Sequence, residues 1–412
     1  MPRDVTHIIL ADEAAEIIND KDIRDNPEAF HMGCIADDSF LYTMSPKLSS
    51  RLHGMFRDDT RAIVLEMADE LKKENEPHKR AEKKAFIAGY VCHMAADCTF
   101  HPLIYSISGS HFNASSKREA EISKACHRCA ETWLDMYFMR AEKMSFKNFR
   151  PFRKIIKRVA MRVRIDDFFT DCVQRVLKAK KYTWGDNFDL QSQFHNGMTR
   201  QLFVDKVTQS QTIGKMLRKL DTLFNGKLKL YTSGFYNVNG EVPQLLTKGS
   251  FIHPVTGEKI DKSLGDLRHD AVQTSVKFIK AVDEYIKSGD KEVFLQSVPN
   301  INLDTGIENT GREALKNKMA PGVFAMMTGE RKKAKKAMKE DSTVTQKVIK
   351  KERKQAIKRA KGEAVFFNNP INTDNDFPKN TMMREDEAEE KQTTSGNNQP
   401  EKQKKISFNE RI

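Results

Sequence analysis

Within residues 85–102, AFIAGYVCHMAADCTFHP, three polar side chains break an apolar run: His93, Asp97 and His101. They stand at i, i+4 and i+8, so on a helix they share one face with about 40° of drift per step. Two imidazoles and a carboxylate on such a stripe suit a borderline metal such as zinc. The same triple would also serve as a buried ladder of satisfied polar groups, so the wider chain has to decide. Of the eleven histidines eight fall in the first 131 residues, and five of these, His7, His53, His93, His101 and His127, stand at helix starts or on apolar-faced helices. Asp38, Asp97 and Glu131 accompany them, and His127 and Glu131 again stand at i and i+4. Unpaired buried polar groups are costly, so this many together favour a shared metal over coincidence. A cluster of zinc ions suits phosphodiester hydrolysis. Cys126 and Cys129 frame His127 as a C-x-x-C, a spacing used by redox pairs and zinc thiolates. No thioredoxin-like strand accompanies them, so two packed helix residues are expected.

The elements that would position these residues are helical. Helices are expected over residues 5–19, with Thr6 as a cap, and over 48–71. A polar linker over 75–84 leads to the 85–102 helix, which should end near His101 because a residue before proline is pushed out of the helical region. A strong helix follows over 117–144. In 146–182 the residues Phe149, Phe152, Ile155, Ile156, Val159 and Val163 fit one face, with Lys and Arg opposite. Residues 183–204 are weakly patterned, 205–224 read as helix, 228–239 as a hairpin, and 263–288 as helix. In 26–42 Gly33 interrupts an apolar stretch that Asp37 and Asp38 end. The expected fold is all-α, a multi-helix bundle around a multinuclear metal site, with a small β-hairpin insertion. The expected domain covers 1–327, with a metal-site core over 1–145, basic helices over 146–225 and C-terminal helices over 250–300. Residues 328–412 read as a lysine-rich, largely disordered tail.

The 412 residues are 39% hydrophobic and 31% charged, with a net charge of +13. The charge favours nucleic acid, an anionic membrane surface or phosphorylated substrates. The start reads as no signal peptide, no window approaches a membrane span, and six cysteines make no disulfide framework. A cytoplasmic protein is the default expectation.

In order along the chain, these residues resemble the zinc-dependent phospholipase C family and the related S1/P1 nucleases. Asp4-Val5-Thr6-His7, leading into an apolar helix with Glu13, looks like the family's opening with its first histidine ligand. Gly33-Cys34-Ile35-Ala36-Asp37-Asp38-Ser39-Phe40 is similar to Gly-x-x-Gly-Pro-Asp-x-Phe, which sets Asp38 on the metal-bound aspartate and leaves Asp37 as its competitor. His53 matches the histidine that follows. Gly89-Tyr90-Val91-Cys92-His93-x3-Asp97-x3-His101-Pro102 looks like the signature helix. His127-Arg128-Cys129-Ala130-Glu131 matches the closing His-x3-Glu, where the nucleases place Asp. His253 to Glu258 and Ser263 to Leu267 look like the lead-in to the family's C-terminal helix. The likeness is strong over 1–145 and weak over 250–288. The family's tryptophan amine ligand has no match in Met1-Pro2, and the family spaces the signature aspartate and the next histidine more widely than Asp97 and His101.

The resemblance implies two or three zinc ions. His53, His93 and Asp38 would hold one, His101, His127 and Glu131 a second, and His7 with Asp97 the remnant of a third. Asp97 would bridge, and Asp38 would orient or deprotonate the water. The implied activity is a phospholipase C-type phosphodiesterase acting on a phospholipid or another phosphodiester. An S1/P1-type nuclease is the alternative, or a non-catalytic module stabilised by metal that binds membrane or nucleic acid through its basic segments, including the tail. Oligomeric state is not legible.

Overall fold

Helix α6, Pro77–Ser108, packs against α1, α2, α3, α5, α7, α9 and the Leu264–Ser288 helix, whose ranges follow. The computed structural model describes residues 3–323, apart from 44, 146–147, 183–187, 224–233, 237–242, 317 and 322. Before α6 come α1 (Asp4–Ile18), α2 (Lys21–Asp25), α3 (Pro27–Ala36), a 3₁₀ turn (Asp37–Tyr42), α4 (Pro46–Leu52) and α5 (Ala62–Lys72). After it come α7 (Lys117–Ala141), α8 (Pro151–Lys157), α9 (Val159–Ala179), α10 (Leu190–Thr208) and α11 (Gln211–Leu223). Helices Leu264–Ser288 and Lys291–Ser297 follow, the former opened by a Ser263–Asp266 capping box. The fold is all-α as expected. The described strand pairing is one antiparallel pair, Phe251–Ile252 with Lys259–Ile260. The hairpin expected over 228–239 lies, but for residues 234–236, outside the described residues, and so does the 328–412 tail. Among the described residues no helix is long and apolar enough to cross a membrane.

The core is apolar where sequence pattern demands it. Ala85, Phe86, Ile87, Tyr90 and Val91 are buried on α6, against α3, α1, α5, α7 and the Leu264–Ser288 helix. Gly33 does not interrupt α3. It faces Gly89 across the α3–α6 crossing, and the two glycines let the helices touch backbone to backbone. A Cβ at Gly33 would lie 2.1 Å from the Phe86 carbonyl oxygen, and one at Gly89 2.0 Å from that of Phe30.

Several boundaries differ from the sequence reading. Residues 77–84 are the first turns of α6 rather than a linker. Pro77 takes the first helical position, where its missing N–H costs nothing. Lys83 and Lys84 pair with Glu74 and Asp20, so a helix with a charged, solvent-facing side had read as a loop. Nor does α6 stop at Pro102. Proline removes one donor, the one that would reach the Cys98 carbonyl. Packing carries the helix onward, with Phe100, Leu103, Ile104 and Ile107 buried around the break.

The 48–71 pattern splits into α4 and α5. Gly54 at φ 75° and Arg57 at φ 64° turn the chain between them. That break places His53 at the cap of α4. In 146–182 Arg158 interrupts the helix at ψ 55° and resets its phase. Phe149, Phe152 and Ile155 stay buried, but Ile156, Val159 and Val163 are 40%, 61% and 45% exposed, and Met161, Ile165, Phe168 and Phe169 take the inner face. Residues 190–208 are helical where little pattern was read. Phe194, Met198 and Leu202 make a narrow buried stripe there. Thr6 lies inside α1, and its hydroxyl donates to Asp135 Oδ1 (2.5 Å) instead of capping.

Candidate metal centre

His93, Asp97 and His101 follow one another along α6, and Asp97 sits among four imidazoles. Its Oδ2 lies 3.1 Å from His53 Nε2 and 3.2 Å from His93 Nε2. Its Oδ1 lies 3.3 Å from His7 Nε2 and 3.8 Å from His101 Nε2. The drift along the α6 face therefore divides the stripe: His93 turns toward His53, and His101 toward His127. Each neighbour comes from its own element. α1 brings His7, whose ring stacks on His93 with centroids 4.3 Å apart. The α4 cap brings His53, the 3₁₀ turn brings Asp37 and Asp38, and α7 brings His127 and Glu131.

A second polar network fixes α1. Arg3 donates to Asp205 Oδ1 (3.0 Å) and Thr208 Oγ1 (2.9 Å) on α10. On α7, Asp135 accepts from the Thr6 backbone (2.9 Å) and from the Tyr236 hydroxyl (2.6 Å). His7 is thereby held at the floor of the site.

The outer nitrogens of three imidazoles are spoken for. His53 Nδ1 donates to the Ser49 carbonyl (2.7 Å), His93 Nδ1 to that of Cys34 (3.0 Å) and His101 Nδ1 to that of Leu303 (2.8 Å). A carbonyl only accepts, so each Nδ1 carries the proton. That leaves three Nε2 atoms directed inward, those of His53 and His93 facing each other at 3.5 Å. Nitrogens and a carboxylate turned on one another in a buried space need positive charge between them, carried by protons or, in their place, by a metal cation.

The rest of the cage repeats the pattern. Both nitrogens of His7, both oxygens of Asp37 and Asp97, Oδ1 of Asp38 and Nε2 of His101 are buried without a hydrogen-bond partner. The electrostatics agree. Burial alone would lower His93, but Asp97 and Asp38 outweigh it and lift the imidazole to about 9. Burial pushes Asp37 up to about 6 in spite of His53 and His93. The residues present fit a group of divalent cations, with imidazoles oriented from behind as metal-ligating histidines are.

Three sets of side chains offer ligand atoms within 4.8 Å of one another: His7, His93 and Asp97; Asp37, His53 and His93; and His101, His127 and Glu131. In the last, His127 Nε2 is 3.0 Å from Glu131 Oε1, and the His101 and His127 rings are 5.7 Å apart. All eight residues singled out from sequence converge here. Asp37 joins them beside Asp38, whose Oδ1 is 3.5 Å from His53 Nε2 and 4.0 Å from His93 Nε2. Cys126 faces the core, where burial pushes its thiol up, and belongs to none of the three sets. The sequence reading missed Leu303 and Asp304, which touch His101 from behind. Their only signal was the turn-forming run Asn302-Leu303-Asp304-Thr305-Gly306.

Among comparisons with known proteins, the family model described as zinc dependent phospholipase C matches residues 6–185. No curated protein and no solved structure matches the chain.

Proposed function

Since residues 6–185 belong to the zinc-dependent phospholipase C family, we propose that this protein is a zinc-dependent phosphodiester hydrolase of phospholipase C type, with a phospholipid-like substrate. The observation that supports the reading best is the buried cage of inward-facing Nε2 atoms and carboxylate oxygens gathered around Asp97. Bound zinc would supply an acidified water and positive charge for the phosphate oxygens.

The protein's own part is to hold and orient. Asp97 is the shared carboxylate between His7, His53, His93 and His101. His53 and His93, with Asp38 and the deeper Asp37, form one ligand shell. His101, His127 and Glu131 form a second, and His7 with Asp97 the start of a third. Asp38 is the residue we assign to the attacking water, as the base that orients or deprotonates it. Glu131, where the nucleases of this architecture carry Asp, favours lipid over nucleic acid.

The test is metal analysis of the purified full chain by mass spectrometry, with turnover on phosphatidylcholine vesicles, single-stranded DNA and a chromogenic phosphodiester. Two or three zinc ions per chain are expected, with lipid hydrolysis abolished by chelation and restored by zinc. DNA cleavage without lipid hydrolysis would shift the assignment to a nuclease, and zinc without any turnover to a binding module. A chain that takes up no metal refutes the reading.

A second expectation follows from the carboxylates that lift His93 to about 9. At pH 7 the cage then carries protons that a metal must displace, because only a neutral imidazole ligates. Zinc uptake at pH 7 should release protons, and zinc affinity should fall as pH is lowered. Calorimetric titration in buffers of different ionisation enthalpy reads the release directly. An enthalpy independent of buffer would count against it.

A further inference from the structure

Residues 300–306, NINLDTG, lie outside the family match and hold none of the eight residues read from the sequence. They reach the centre nonetheless. One residue, Leu303, touches two of the imidazole-bearing segments. Its N–H donates to the His53 carbonyl (3.0 Å), and its carbonyl accepts from His101 Nδ1 (2.8 Å).

Its neighbours fix that peptide. Asn302 Oδ1 accepts from the Asp304 and Thr305 backbones (2.9 and 3.0 Å). Asn302 Nδ2 donates to the Gly54 and Thr310 carbonyls (2.9 and 3.1 Å). Gly306, at φ 68°, presses on the Cys98 carbonyl that Pro102 leaves without a donor; a Cβ there would fall 2.6 Å from that oxygen. Asp304 accepts from the Tyr105 hydroxyl (2.9 Å), and its Oδ1 is 3.7 Å from His101 Nδ1. The Tyr105 ring in turn meets His127 edge-on, centroids 4.7 Å apart. Asn302, Leu303, Asp304 and Thr305 are all buried.

We propose that this strap is part of the metal centre, with Asp304 as a positioning residue for the His101, His127 and Glu131 ligand set. The proposal rests on the metal reading above. Asp304 holds Tyr105 against His127 and keeps a negative charge behind His101. The adjoining Leu303 carbonyl fixes the His101 ring, so that Nε2 points inward. A surface staple with no part in the site would have no reason to bury a carboxylate 3.7 Å from one of its imidazoles.

The test uses the zinc-loaded full chain and the variants Asp304→Ala, Asp304→Glu and Tyr105→Phe. Zinc affinity is read by competition with a chelator, and site geometry by the absorption spectrum of the cobalt-substituted protein. Asp304→Ala should weaken one bound metal by ~10–100-fold, the usual cost of removing a partner behind a ligating histidine, and alter the cobalt spectrum. The remaining metal should stay bound. Tyr105→Phe should act in the same direction, less strongly, and Asp304→Glu should recover part of the loss. Parent-like affinity and spectra in all three would overturn the proposal. Should Asp304→Ala lose its helical circular dichroism, Tyr105→Phe, which deletes a single hydroxyl, decides alone. A parent chain that binds no metal would sink the underlying reading, and the proposal with it.

Discussion

Asp97→Asn should release at least one zinc ion and cut phosphodiesterase turnover on the order of 10³-fold. The substitution keeps the shape of the side chain and removes its charge. In the parent, the two oxygens approach four imidazole nitrogens at 3.1 to 3.8 Å. Burial would raise this carboxyl, but His101, His93 and their neighbours hold it well below the usual carboxylate range. It is therefore the anion that the whole cage shares. An amide cannot bridge two cations, and its N–H₂ would point at a nitrogen or a metal. Metal assistance contributes several kcal/mol to such reactions, and each ~1.4 kcal/mol is a factor of ten. Mass-spectrometric zinc content, turnover and far-ultraviolet circular dichroism check the expectation together. A variant with full zinc and full turnover would end the bridging assignment.

Gly89→Ala should destabilise the fold by ~3 kcal/mol or more, the upper range for overpacking a core. Helix propensity alone argues the opposite, since alanine is the better helix former. The crossing decides. The new methyl would sit 2.0 Å from the Phe30 carbonyl oxygen. That atom is backbone and cannot swing aside, so α3 and α6 must part. Gly33→Ala should do the same from the other side, 2.1 Å from the Phe86 carbonyl oxygen. The double variant should cost less than the sum, because helices already separated accept the second methyl more easily. The metal site should feel the parting as well. His93 stands one turn beyond Gly89, Asp37 one turn beyond Gly33, and the His93–Cys34 hydrogen bond spans the crossing (3.0 Å). Denaturant unfolding and zinc affinity should fall together. Parent-like values of both in Gly89→Ala would show that the crossing is not tight.

The candidate ligand set was legible because ligation needs particular residue types, and types are what a sequence states. His93, Asp97 and His101 on one helical face required only the 3.6-residue period. The scaffold around them was less legible where tertiary packing overruled local pattern. Pro102 reads as a stop, yet the buried apolar residues on both sides of it carry the helix through. Gly33 and Gly89 read as flaws in two helices and are the reason those helices can cross. Val159 and Val163 matched the periodicity of the residues before them, but one non-helical residue, Arg158, turned them to solvent. Asp304 was invisible for another reason. It acts on the site through a tyrosine hydroxyl and a neighbouring carbonyl, and main-chain acceptors leave no mark in residue identity.

The contact between His101 and Leu303 joins positions 202 apart in the chain. A ribosome delivering this protein has released every imidazole of the cage long before it adds the peptide that sets one of them. Until then the early helices can gather, but the last ring is free to rotate, and an ion captured in that interval meets an unfinished coordination sphere. Closure of so long a loop is slow relative to local helix formation. In the proposed centre, selection of the ion would thus belong to the end of synthesis, when a late-made turn completes the set of early-made ligands.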